Sequence, residues 1–317
     1  MFAKNTVRAH RWVACAFLTL AFSAGVYAET GLDRVYIFGD SLADAGNVYA
    51  LTGETSKAPY ALIPSYPYAI GGHHFSNGKT WAEKFAQSVD DNSGGKASRD
   101  APGKNGNYAH GGARARAGSG SPVPSSIEQV WMFLGDYGTA RPDALYVLEF
   151  GGNDLRDALV AGQSDPGAVA PVLQAAIGGL AQSIQTLYFA GARNFLVANA
   201  PNIEHAPAVQ LLGAGPVAGF LVGLYNGGLE GALQQLEGAL PGITIHRLNM
   251  ATLIDEVVAN PAAFGISNVT SPCLNFMVES GAKCDDPEKY FFWDGLHPTA
   301  AGHRILAQRA IESIGSN

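Results

Sequence analysis

The chain has 317 residues, 47% of them hydrophobic and 15% charged, with a formal net charge of −7. That balance excludes a disordered or fibrous protein and allows a substantial core, in one large domain or two small ones. The acidic excess speaks against nucleic acid as a partner.

Residues 1–28 stand apart. Lys4, Arg8 and Arg11 precede the apolar run Trp12 to Phe22, and Val26-Tyr27-Ala28 ends in small residues suited to cleavage. The pattern predicts a secretory signal cut after Ala28, which leaves residues 29–317 as a single exported domain, periplasmic or secreted. The apolar run is short for an uncleaved membrane anchor, and Cys15 lies too early in it for a lipoprotein. Without this segment seventeen basic side chains remain against twenty-seven acidic ones, a net charge of about −10.

Val35 to Phe38 are β-branched or aromatic and read as a buried strand, followed by Gly39-Asp40-Ser41. Two readings fit Ser41. It is either a reactive group at the carboxyl end of a sheet, where open α/β folds bind ligands, or the cap of a following helix.

A loop rich in aromatics comes next, Tyr60 to Gly78, with Tyr60, Tyr66, Tyr68, His73, His74 and Phe75. A helix is expected near Thr80 to Val89, then a surface loop from Asp90 to Gly106. Asn107 to Ala113 reads as a short strand entering a glycine turn at Gly111-Gly112, and Gly118 to Ser126 as a flexible connection. Ala144 to Phe150 repeats the logic of the first strand, ending in Gly151-Gly152-Asn153-Asp154. Helical pattern from Ala168 to Phe189 leads to a strand at Asn194 to Ala198. Another strand near Ile243 to Leu248 follows a long helical stretch ending around Leu240. Strands alternating with helices indicate a parallel, doubly wound α/β sheet.

Ala206 to Leu224 carries no charge over nineteen positions. Glycine, alanine and Pro216 dilute it, which favours a buried helix or a lipid-facing wall of a site over a membrane span. Cys273 and Cys284 remain after export, in a compartment that permits disulfides, and are expected to form a bridge just before Asp294. Two buried free thiols are the alternative.

Near the C-terminus, Tyr290 to Trp293 join an aromatic run to Asp294 and His297, just before a helix with Leu306, Ala310 and Ile314 on one side. At that spacing the carboxylate can reach the imidazole, though Asp-x-x-His alone is often no more than a helix start. A serine hydroxyl needs a base to take its proton, and a histidine serves best when a carboxylate fixes its tautomer. Ser41, His297 and Asp294 supply those three roles. Negative charge developing on a carbonyl oxygen needs donors, which the Gly111-Gly112 turn and the Asn153 side chain can provide. The remaining histidines (His73, His110, His205, His246, His303) have no metal-ligand spacing and read as structural. Gly213 to Gly219 fails the dinucleotide pattern, so neither metal nor cofactor is expected.

Four blocks together resemble the GDSL, or SGNH, hydrolases: Phe38 to Leu42, Asn107 to Ala113, Gly151 to Leu155, and Asp294 to Thr299. Further similarity lies in Phe75-Ser76-Asn77-Gly78-x-x-Trp81, Asn199 to Asn202, and Tyr225-Asn226. The resemblance implies a three-layer α/β/α, flavodoxin-like fold and an exported carboxylic ester hydrolase that works through an acyl-serine intermediate. It also implies Ser41, Asp294 and His297 as catalytic residues, with the Ser41 N–H, Gly112 and Asn153 as oxyanion donors. The glycine doublet leaves Gly111 as the alternative donor. His74 stands where many relatives have arginine and implies nothing. The chain lacks the Gly-x-Ser-x-Gly elbow of α/β-hydrolases.

Relatives of this pattern act on short-chain, choline or lysophospholipid esters. Transfer of acyl groups to sterols and deacetylation of carbohydrate are the alternatives, and a secreted binding protein without turnover is a third class. Aromatics at Tyr290 to Trp293 and in the Tyr60 to Phe75 loop are candidates for holding a choline head group by cation–π contact, with core packing as the competing role. A small-molecule or lipid ester is the expected partner, with contact at a membrane surface as an extension.

Overall fold

The computed structural model describes residues 32–53, 72–89, 91–274 and 283–315. The signal segment and Tyr60, Tyr66 and Tyr68 lie outside the described residues.

Four parallel strands form the sheet in the order β1 (Arg34–Gly39), β2 (Ala144–Glu149), β3 (Asn194–Ala198), β4 (Thr244–Leu248). Side chains alternate across a strand, and both faces here are apolar. Tyr36, Phe38, Tyr146, Leu148 and Phe195 point into one core, and Val35, Ile37, Leu145, Val147 and Leu196 into the other. Burial on both sides is what a parallel sheet requires.

Helices cover both faces. On the first lie α3 (Ser126–Tyr137), α4 (Gly152–Ser164), α5 (Val169–Ala190) and α7 (Gly215–Ala239), packed through residues such as Phe133, Leu155, Leu180 and Tyr225. On the second lie α2 (Trp81–Ser88), α8 (Met250–Ala259) and α9 (Ala300–Gly315), through Trp81, Phe85, Leu253 and Leu306. The short α1 (Asn47–Thr52) and α6 (Pro207–Leu211) complete the α-helices among the described residues. This is the three-layer α/β/α architecture.

Several expectations change in detail. Asp40 and Ser41 do not open a helix: residues 40–43 form a turn, and α1 starts only at Asn47. Residues 106–110 are not a regular strand, yet they run parallel along the free edge of β1. Ile37 donates to Gly106 O at 2.9 Å, Tyr108 to Ile37 O at 2.7 Å and His110 to Gly39 O at 3.1 Å. The effective order, with this segment second in the chain, is therefore the flavodoxin-like 2-1-3-4-5, and the chain switches direction at β1.

The loop from Asp91 to Gly106 is partly internal, because Asp91 accepts the Val35 N–H at 2.8 Å and is buried. The uncharged stretch 206–224 is broken between α6 and α7. It buries Val209, Ala218 and Leu221 and leaves Leu211, Leu212, Val217 and Phe220 exposed.

Candidate active site

Three neighbouring chain exits at the carboxyl edge of the sheet supply the site. Ser41 follows β1, Asn153 opens α4 after β2, and Gly111-Gly112 ends the segment beside β1. The fourth part, Asp294 to His297, arrives from the far end of the chain on the loop before α9.

His297 Nε2 lies 2.8 Å from Ser41 Oγ, and His297 Nδ1 lies 2.7 Å from Asp294 Oδ2. The other Asp294 oxygen accepts the Leu296 and His297 N–H groups, each at 2.7 Å, so the carboxylate is fixed before it meets the ring. Asp294 is 1% exposed, whereas His297 and Ser41 keep 7% and 9% at the floor of a cleft. The carboxylate is thus shielded while the serine and imidazole can meet a ligand.

The block Phe75 to Trp81 braces this loop. Ser76 donates to Pro298 O at 2.9 Å, Asn77 Oδ1 accepts Ala300 N–H at 2.7 Å, and the Phe75 ring lies 5.3 Å from the His297 ring. Behind it His74 pairs with Glu83 at 2.8 Å, and His303 accepts the Trp81 N–H at 3.1 Å, a structural use for both histidines. Cys273 and Cys284 are disulfide-bonded. Cys273 and Leu274 donate to the Phe292 and Trp293 carbonyls, which ties the bridged loop to the residues just before Asp294.

Gly111 N–H is taken by Asp44 Oδ2 at 2.8 Å, while Gly112 has φ +82° at the third position of a turn closed by Ala113 N–H to His110 O at 3.0 Å. A positive φ there is the mark of a type II turn. Asn153 Nδ2 donates to Ala113 O at 3.0 Å and Asp40 Oδ2 at 3.3 Å, which sets its amide beside the same turn.

Two buried acids lie under these groups. Asp40 and Glu149 lie side by side, both buried, and neither Glu149 carboxylate oxygen has a hydrogen-bond partner among the described residues. Two carboxylates this close and this buried do not both ionise readily. Burial raises both: Asp40 to about 6, and Glu149 well above the usual range with the Asp40 charge adding to the effect. Glu149 is therefore the proton holder and Asp40 the acceptor facing Leu42 N–H (3.0 Å) and Asn153. Gln129 on α3 holds the same exit, its amide accepting Gly39 N–H and donating to Gly39 O, each at 2.9 Å. The reading of the sequence missed Glu149 and Gln129. A lone acid in an otherwise apolar strand was the available signal for Glu149.

The cleft over Ser41 has a volume of about 80 Å³; Leu42, Leu159, Ile203, Val209 and Leu296 form its apolar walls, with Arg156 at its rim. Phe291, Phe292 and Trp293 do not line it. They are 0–3% exposed and belong to the core, where no cation reaches their faces. A larger groove of about 470 Å³ between α8 and α9 contains neither Ser41, Asp294 and His297 nor any wall residue of the cleft above them.

The GDSL-like lipase/acylhydrolase family model matches residues 35–310. A GDSL lipase of Tanacetum cinerariifolium is 25% identical, over 93% of this chain and 88% of its own length. A GDSL esterase/lipase of Arabidopsis thaliana is 26% identical, over 97% and 95%. Among solved structures, an acetyl xylan esterase of Geobacillus stearothermophilus superimposes with a TM-score of 0.44 at 13% identity, over 89% of this chain and 94% of that one.

Proposed function

We propose, for a chain that belongs to the GDSL-like lipase/acylhydrolase family and is a carboxylic ester hydrolase, that Ser41 is the nucleophile, His297 its general base and Asp294 the group that orients the base. The carrying observation is the unbroken line Ser41 Oγ, His297 Nε2, His297 Nδ1, Asp294 Oδ2, with links of 2.8 and 2.7 Å between residues 256 positions apart.

In that arrangement Nδ1–H donates to Asp294 and Nε2 accepts the Ser41 proton as Oγ attacks the ester carbonyl. The oxygen that gains the negative charge meets the Gly112 N–H, the Ser41 N–H and the Asn153 amide. Collapse breaks the bond to the alcohol, which leaves with the proton from Nε2. Water, deprotonated by the same imidazole, then releases the acid and restores the serine. General-base assistance of this kind is worth about a hundred- to ten-thousandfold, and each oxyanion donor about a hundred- to a thousandfold.

The acyl group is the part of the substrate that the apolar cleft receives, and a volume of about 80 Å³ favours a short one. Export completes the reading, supported by the disulfide and the pattern of residues 1–28. The test is covalent labelling by a fluorophosphonate probe on protein recovered from the exported fraction, alongside rates on nitrophenyl esters of increasing chain length, acylcholines and lysophospholipids. We expect Ser41 to carry the label and turnover to be highest on short neutral esters. Ser41→Ala that still hydrolyses them at the wild-type rate would overturn the assignment.

A further inference from the structure

A network of two arginines and two aspartates lies behind the proposed oxyanion pocket, and ester chemistry has no direct use for it. Arg114 Nη1 donates to Gly112 O at 2.7 Å, while its Nε and Nη2 make a paired contact with Asp157 on α4, at 2.9 and 3.0 Å. Arg116 spans the same gap, reaching Asp154 Oδ1 and Asp157 Oδ2, each at 2.6 Å. Ala115 N–H adds a contact to Asp154 Oδ2 at 2.8 Å. The side chains are only 0–23% exposed, so solvent screens these bonds little. The two guanidiniums overcome the cost of burying Asp157 and hold it below the usual carboxylate range.

The peptide that carries the Gly112 N–H lies between two anchored neighbours. Asp44 holds the N–H of Gly111 on one side, and Arg114 holds the carbonyl of Gly112 on the other. Asn153 sits one residue before Asp154 and one turn before Asp157, on the helix that the arginines grip. Its amide also bonds Ala113 O, in the middle of the same segment. We infer that Arg114 is a positioning residue, whose bridge from Gly112 O to Asp157 locks the turn and the first turn of α4 into one body, so that the Gly112 and Asn153 donors keep a fixed separation. The inference rests on the assignment of those two donors made above.

Donors that act as a unit respond non-additively when each is disturbed. The experiment is a double-mutant cycle on a short nitrophenyl ester, with kcat, KM and the melting temperature read for Arg114→Met, Asn153→Ala and the pair. Arg114→Met should lower kcat about tenfold to a hundredfold with KM changed less than about threefold, since the pocket acts in the transition state. In the Asn153→Ala background the same change should cost less than about threefold. Arg114→Lys, which cannot bridge both partners, and Asp157→Asn should fall between, and they serve if Arg114→Met does not fold. Full additivity, or a lowered melting temperature with kcat intact, would reduce Arg114 to a structural brace and leave the donors standing. If Asn153→Ala keeps the wild-type kcat, the donor assignment itself fails and this inference goes with it.

Discussion

Asp44 Oδ2 accepts the Gly111 N–H at 2.8 Å, and this bond engages the N–H of one glycine of the doublet. Asp44 is fully buried, and its carboxylate takes three further backbone N–H groups, from Gly46, Asn47 and Val48, at 2.8, 2.6 and 3.2 Å. It thereby joins the turn after Ser41 to the turn before Ala113. Asp44→Asn should place an amide N–H against one of these N–H groups and cost about 1–3 kcal/mol. Gly112→Ala meets a different obstacle, since φ +82° costs a residue with a Cβ about 1–2 kcal/mol. It should fold with reduced kcat. Gly111→Ala would drive its Cβ into the Phe75 ring and should be the least stable of the three. Denaturant midpoints and kcat for the three variants check the order, and a fully active Gly112→Ala with a damaged Gly111→Ala would return the donor role to Gly111.

The disulfide between Cys273 and Cys284 has a consequence for catalysis as well as for stability. Its loop supplies the N–H groups of Cys273 and Leu274 to the carbonyls of Phe292 and Trp293, and Trp293 N–H in turn holds His297 O at 2.7 Å. Loosening the loop therefore reaches the imidazole through two backbone steps. Closing a loop of this size is worth about 2–3 kcal/mol. Reduction of the folded protein, monitored by thiol titration, should lower its melting temperature and reduce kcat severalfold, with little change in KM. Undiminished kcat after complete reduction would confine the bridge to stability.

Much of this arrangement is legible in the sequence because strand exits carry their own punctuation. Apolar runs ending at Gly39 and Gly151 locate Ser41 and Asn153 at the sheet edge, and the Asp294 to His297 spacing gives their hydrogen-bonded contact. Periodicity is weaker evidence where a helix begins with glycines. α4, which starts at Gly152, has no counterpart among the expected helices, and the packing of Leu155 and Ala158 on the sheet reveals it. For α3 a signal was present and overlooked: Ser125 and Glu128 form a capping box, with Ser125 N–H to Glu128 Oε2 at 2.7 Å. The pairing of residues 106–110 with β1 is non-local and leaves no period to read. Aromatic composition is ambiguous, since the run Tyr290 to Trp293 allows either a cation box or core packing, and Phe291 to Trp293 are core.

The Asp40–Glu149 pair makes a prediction about pH whose sign is fixed by linkage. Glu149 is held protonated in the fold by burial and by the facing Asp40, whereas in the unfolded chain it ionises near its ordinary value of 4.5. The folded state therefore binds the extra proton above that value, and its stability falls as pH rises, by up to about 1.4 kcal/mol per unit for one proton. The contribution is complete below about pH 4.5 and is lost progressively toward the raised folded value. The other groups near this pair are Asp154 on α4, the Tyr225 hydroxyl on α7 and His297, and of these only protonated His297 would draw the pair toward ionisation. Glu149→Gln keeps a polar group of the same shape beside Asp40 and removes the titration. It should equal the wild type near pH 4.5 and exceed it increasingly toward pH 8, while retaining kcat, because Asp40 still accepts from Leu42 N–H and Asn153. Glu149→Leu leaves only apolar atoms beside the buried Asp40 and should lose both stability and kcat. Denaturation at pH 5 and pH 8 separates the cases: a wild type and Glu149→Gln with parallel pH profiles would mean that Glu149 holds no extra proton in the fold.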